Sequence, residues 1–265
     1  MLKNLKIEWM KIKNYRVFQV FSALYLMGLL LVVYIFYKVY LNVVGSVQQT
    51  VTGTQGNGSD VLNLFSSEFL MQTVCFWTGF LLYLPGMIII SLFINEVNFK
   101  TNRQNIIDGW KRETFIYSKI GLIVCMAAVI AIMNLLAGFI MSNVVGVTLS
   151  ADALKMVGFS FVQAMVYLLF ALLLATFFRR SGVAIIVFFI YGLLLEFLFM
   201  WIAGKISPGL QHFMPLQVAD SLTPFPRLRD FYIGLPSETV MLLAAMAFGG
   251  LYAFLTVRKY KYDDL

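Results

Sequence analysis

Few side chains in this sequence could do chemistry, and their spacing excludes most reactions. Glu196 is the one acidic residue inside an otherwise uncharged apolar run, Ser181–Gly204. Counting helical rise from Val183 places it about 20 Å across a hydrocarbon core of about 30 Å. A carboxylate at such depth costs at least ~2.5 kcal/mol, so Glu196 should face the interior of a helix bundle or a cavity. Two roles fit: a substrate-path or proton-relay group, or a hydrogen-bonding residue packed against the proline-rich stretch that follows. Asn134, midway along another apolar run, is either a second pathway residue or, as such amides more often are, glue between helices. His212 is the only histidine and has no neighbouring Cys or second His, so no metal site is expected. Cys75 and Cys125 fall more than ~10 Å apart along the membrane normal, beyond the ~7 Å reach of a disulfide, and read as core thiols. Neither a Ser–His pair nor paired carboxylates occur at one depth, which argues against an intramembrane protease or lipid transferase. No Gly-x-x-x-x-Gly-Lys-Ser/Thr loop is present to cradle ATP. No catalytic residue is expected.

The elements that must position these residues follow from composition. The 265 residues are 60% hydrophobic and only 12% charged, against roughly 45–50% and ~25% in soluble domains, and mean hydropathy is +0.83. With 20 basic and 13 acidic side chains the chain cannot coat a soluble globule, and disorder or nucleic-acid binding as a main role is excluded. The expected fold class is an all-α integral membrane protein, one transmembrane domain over 1–265. Six apolar runs are long enough to cross a bilayer, giving spans at about 18–40, 70–95, 118–143, 156–178, 182–203 and 238–257. Fifteen of the 20 Lys and Arg fall at the termini and in the connections on their side, and five (Lys38, Lys155, Lys205, Arg227 and Arg229) on the other. By the positive-inside rule both termini are expected in the cytoplasm. The basic start, 1–16, is read as a helix and not as a cleavable signal. Its Leu2, Leu5, Trp9 and Ile12 form one apolar stripe flanked by Lys and Arg, an interfacial anchor for anionic lipid.

The connections differ in character. The stretch 42–68, rich in Gly, Gln, Ser and Thr, is expected to be a mobile loop. The stretch 204–236 holds Pro208, Pro215, Pro224, Pro226 and Pro236 among apolar residues, and is expected to dip into the membrane as short broken helices. Between spans 2 and 3, Thr101-Asn102-Arg103-Gln104 fits a capping box, with Thr101 as N-cap and Gln104 reaching back. Asp108-Gly109 supplies a stop. A helix of about two turns would present Ile106 and Ile107 with Arg103 and Asp108. It is either a surface connector or a docking knob for a cytoplasmic partner.

The order of features carries a resemblance. An amphipathic start runs from Leu5 through Glu8-Trp9 to Lys11, and a second span ends in Glu96. Then come Thr101 and Arg103-Gln104, a basic Arg112, and Lys119-Ile120-Gly121 opening the third span. This resembles the type-2 family of ABC exporter permeases over the whole chain in layout. His212-Phe213-Met214-Pro215-Leu216 is similar to that family's re-entrant outer segment. Where relatives often carry a Pro after the coupling helix, this chain has Gly109-Trp110-Lys111-Arg112. The resemblance implies a six-span exporter subunit in a bacterial cytoplasmic (inner) membrane, paired with a second, identical or related permease. It also implies coupling through the region 98–110 to a separate ATP-binding cassette ATPase, with Glu96, Thr101, Arg103, Gln104, Ile106, Ile107 and Asp108 as the coupling residues. ATP and magnesium would sit on that partner, with no cofactor on this chain. The family carries lipids, glycans, drugs and peptide antibiotics, and no residue here selects among them. The alternative is an ATPase-independent channel or membrane assembly scaffold.

Overall fold

A run of twenty or more apolar residues gives a helix no polar face, so the whole cylinder must be covered by lipid or by other helices. The structure, a computed structural model, describes residues 2–49, 64–101, 104, 107, 112–207, 209–226, 234 and 236–262. Every regular element among them is helical. Six helices are long and apolar enough to cross a membrane: Arg16–Val44, Leu70–Asn98, Glu113–Val145, Asp152–Phe178, Ser181–Ile206 and Glu238–Tyr262. The chain is a multi-pass membrane protein.

A short helix, α1 (Leu2–Lys13), precedes α2 (Arg16–Gln49), the first span. α2 runs past Asn42, where the loop was expected, because Leu41–Val44 extends its apolar run and each added helical residue gains one hydrogen bond. Residues 50–63 of that stretch lie outside the described residues, and 64–68 form turns before span 2. Span 2 is built of α3 (Leu70–Gly79), a 3₁₀ turn (Phe80–Leu82) and α4 (Tyr83–Asn98). The tightening falls one turn before Pro85, which lacks an N–H and crowds the carbonyl of Leu81. Span 3 is α5 (Arg112–Val145), closed by Gly146 at φ +76°, where a left-handed residue suits a helix end. Span 4, α6 (Asp152–Phe178), turns into span 5 through Arg179 in the left-handed region, φ +49°, and an extended Arg180. Span 5 is α7 (Ser181–Ile190), one π-helical turn (Tyr191–Leu195) and α8 (Glu196–Ile206). A 3₁₀ turn (Leu210–Phe213) and a four-residue α9 (Gln217–Asp220) lead to α10 (Glu238–Tyr262), the sixth span.

α6 is the axis of the bundle. It packs against α3, α4, α5, α7 and α10, and 72% of its apolar window is buried, against 17% for spans 1 and 5. The segment 209–226 is drawn among the spans: α9 packs on α6 and α10, and the 3₁₀ turn on α8. Leu216, Val218, Ala219 and His212 are fully buried. Cys75 is buried as expected of a core thiol, whereas Cys125 is exposed on the outward face of α5.

The crossing of α4 with α7 is close. A Cβ on Gly86 would stand 2.5 Å from the Phe188 ring. That ring is itself enclosed by Tyr83, Tyr167 and Phe170 and cannot retreat. Gly86→Val should therefore lower stability by about 1–3 kcal/mol, and Gly86→Ala by less, read from denaturant unfolding in detergent. A variant as stable as the parent would contradict this packing.

Candidate functional site

Buried charge concentrates where the chain termini lie. α1 carries Glu8, fully buried, against the start of α5. Lys119 Nζ donates to Glu8 Oε2 at 2.5 Å and to Glu96 Oε1 at 2.6 Å, and stands 5.2 Å from the centre of the Phe115 ring. Ser118 Oγ donates to Glu8 Oε1 at 3.4 Å, and Lys11 lies at the rim, 3.9 Å from the same oxygen. One ammonium thus joins the N-terminal helix, the end of span 2 and the start of span 3. Glu96 Oε2 is buried and accepts no hydrogen bond among the described residues.

The chain leaves span 2 through Lys100, at φ +56°. Thr101 Oγ1 donates back to the carbonyl of Glu96 at 3.0 Å, while the N–H of Gln104 goes to the carbonyl of Lys100 at 3.3 Å. The expected capping box is therefore replaced. Helical hydrogen bonding already begins at Lys100, so Thr101 lies inside it and its hydroxyl closes the last turn of span 2. Thr101, Gln104 and Ile107 are helical. Ile107 is 83% exposed, the most exposed large apolar side chain among the described residues. Arg103, Ile106 and Asp108 lie outside the described residues.

A second polar cluster lies in the other half of the bundle. Glu196 opens α8 directly after the π-helical turn, a local widening often found at functional sites. Its Oε1 accepts the backbone N–H groups of Leu216, at 2.5 Å, and Gln217, at 2.6 Å, both at the start of α9, where amides lack helical partners. Tyr252 Oη from α10 donates to the carbonyl of Pro215 at 3.0 Å, and Gln72 Nε2 from α3 to that of Pro224 at 2.7 Å. Asp220 accepts from Gln163 Nε2 at 2.9 Å and from Tyr167 Oη at 2.9 Å. Gln163 Oε1 in turn accepts from Thr223 Oγ1 at 3.1 Å. Four spans hold one segment. Burial pushes the Asp220 carboxyl up to about 6, with the hydrogen bonds from Gln163 and Tyr167 restraining the rise.

Between this segment and spans 2, 4 and 5 opens a cleft of about 240 Å³. Phe76, Phe80 and Tyr83 line it from span 2, Gln163 and Tyr167 from α6, and Gly192 and Leu193 from the π-helical turn. His212, Gln217, Asp220, Ser221, Thr223, Pro224 and Phe225 close it from the 209–226 segment.

Glu196 holds the segment and does not line this cleft. Asn134 reaches neither cluster: its Nδ2 donates to Ser160 Oγ at 2.5 Å between α5 and α6. The stripe on α1 divides. Ile12 is buried in the core, whereas Trp9 is 55% exposed and meets Phe18 edge-on at 6.2 Å. The buried face thus runs through Glu8 and Ile12, one turn apart, because Lys119 draws Glu8 inward. The side chains of Leu2 and Leu5 lie outside those described. Gln163, Tyr167 and Asp220 were not singled out from sequence, and Glu8 and Lys119 entered only through the order of motifs, not as a buried pair. Gln163, the one amide in span 4, and Asp220, set among apolar residues, carried a polar-in-apolar signal. Glu8, among five basic residues, carried none. Among the described residues no three His, Cys, Asp or Glu side chains gather to hold a metal ion.

Two substitutions test these clusters. Lys119→Met leaves Glu8 buried without its cation and should cost about 3–5 kcal/mol, with Glu8→Gln added to it restoring most of the loss. Failure of the second change to rescue would separate the two residues energetically. Glu196→Ala strips two buried amides of their acceptor and should cost about 1–3 kcal/mol. It should also open 209–226 to added protease, while Glu196→Gln, which keeps an acceptor, stays resistant. Equal cleavage of all three proteins would refute the anchoring role.

Comparison of the chain with protein-family models, with curated proteins and with solved structures finds no match.

Proposed function

We propose that this chain is the membrane-spanning permease subunit of an ATP-driven exporter of the type-2 ABC family, forming half of a translocation pathway with a second permease. ATP and magnesium belong to a separate cassette ATPase. The observation that carries the reading is Ile107. An isoleucine 83% exposed on a helical stretch outside the apolar spans is unfavourable unless covered. Filling a groove on a partner would recover roughly 1.5–3 kcal/mol. The same stretch is tied through Thr101 to the last turn of span 2, and Glu96 on that turn shares Lys119 with Glu8. A force applied at Ile107 is thus delivered to spans 2 and 3 and to α1 together.

Orientation follows the basic residues: both termini and the 98–110 region face the cytoplasm, and 209–226 is a re-entrant segment entering from the outer side. The depth of its partners supports this. Tyr167, which holds Asp220, lies fifteen residues, about 22 Å along the axis, from the start of α6. A bacterial cytoplasmic membrane suits the layout. In the cycle, the ATPase pulls on 98–110 and the spans re-pack to open the pathway alternately. The 3₁₀ turn of span 2 and the π-helical turn of span 5 supply the points that yield.

The test is a mild-detergent pull-down from native membranes, followed by ATPase assay of the cassette protein recovered with the chain. Ile107→Asp should leave expression unchanged and abolish permease-dependent stimulation. Undiminished stimulation would overturn the docking role. Recovery of the chain alone, from membranes that retain other complexes, would favour the channel or scaffold.

A further inference from the structure

We infer that the cleft beside Asp220 is a binding site for an alkylammonium group. Its lining contains one carboxylate and, among the described residues, no lysine or arginine. The partners of Asp220 are neutral donors, the amide of Gln163 and the hydroxyl of Tyr167, so its charge is solvated without being neutralised. A cation entering the cleft would meet that charge in a medium of low dielectric, where the attraction is stronger than in water.

The walls decide which cation. Phe76 stands edge-on to Phe80 at 5.5 Å and to Phe225 at 5.2 Å, and Tyr83 perpendicular to Tyr167 at 5.8 Å. Five aromatic rings therefore border the space, and ring faces favour weakly hydrated organic cations. A hard divalent ion is held mainly by carboxylates, and among the described lining residues Asp220 is the one carboxylate, with no group of three His, Cys, Asp or Glu. Beside the carboxylate, Ser221 Oγ accepts from Gln217 Nε2 at 3.3 Å, leaving Gln217 Oε1 as an additional acceptor for an N–H donor. The volume, about 240 Å³, equals some eight waters at ~30 Å³ each. It suits the end of an amine-bearing chain and excludes the body of a lipid or peptide. The ammonium could be carried by a lipid headgroup or by a soluble amine. The site is independent of cassette docking and is tested on the chain alone.

The experiment is calorimetric titration of the purified full chain in dodecyl maltoside with n-butylammonium, against n-butanol as the uncharged match. Saturable binding of the amine and none of the alcohol is expected. Asp220→Asn should weaken the amine about tenfold or more, the equivalent of one full charge contact. Phe80→Leu, at a wall position 54% exposed, should weaken it about threefold with the melting temperature unchanged. Equal binding of amine and alcohol would overturn the proposal. So would wild-type affinity in both variants, and if Asp220→Asn does not fold, wild-type affinity in Phe80→Leu alone suffices. Repeating the titration with phosphatidylethanolamine in the micelle separates the sources: competition assigns the site to a lipid headgroup, and unchanged affinity to a soluble amine.

Discussion

Hydrocarbon offers no hydrogen bonds, so every polar group carried into it must find its partner within the protein. The segment 209–226, short turns around two brief helical elements, packs among the spans, and its stability rests on the pairing of its buried polar groups. Glu196 takes two amides that α9, only four residues long, cannot satisfy for itself. The carbonyls of Pro215 and Pro224 are taken by Tyr252 and Gln72. Asp220 is held by Gln163 and Tyr167. These bonds come from four different spans, so the segment also acts as a clasp between them. Gln163 serves twice, donating to Asp220 and accepting from Thr223, which fixes the orientation of its amide and with it one wall of the cleft.

The same rule, applied to charge, organises the other end. Lys119 is almost fully buried and would be prohibitive alone; between Glu8 and Glu96 it is compensated. Buried ion pairs contribute more to specificity of arrangement than to net stability. Here the arrangement specified is the docking of α1 against α5 beside the end of α4. A stacked pair, Phe115 and Tyr260, packs close by with ring centres 5.3 Å apart, bringing the last turn of α10 into the same cluster. Elements from both ends of the sequence therefore meet around one cation.

Between the two clusters the helices are not uniform rods. Span 2 tightens at Phe80–Leu82 and span 5 widens at Tyr191–Leu195, and both irregular turns border the cleft. Irregular helical turns leave backbone groups less well bonded and move more readily than regular α-helix. A bundle whose central helix, α6, is well buried and whose irregular turns lie on its neighbours can change shape around a fixed axis.

The sequence by itself determined the helical class, the six apolar crossings and the imbalance of Lys and Arg, because each depends only on local composition and length. The 3₁₀ turn of span 2 was not read from the sequence, although Pro85 lies one turn beyond it and lacks the N–H a regular helix needs. What the tertiary structure decided is which polar residues meet. Glu8, hidden among basic residues, is buried because Lys119, more than a hundred residues away, offers it a partner. Asn134 is spent on Ser160, and Glu196 on the amides of Leu216 and Gln217. The stripe on α1 splits between Trp9 and Ile12 because the helix turns its charged Glu8 inward, against the rule that apolar faces are the buried ones. The π-helical turn of span 5 has no signature in Tyr191–Leu195; it lies where Tyr83 packs against Phe188 and Phe189 of α7 and against Gly192. A side chain's type states what partner it requires; only the path of the distant chain determines whether that partner is supplied.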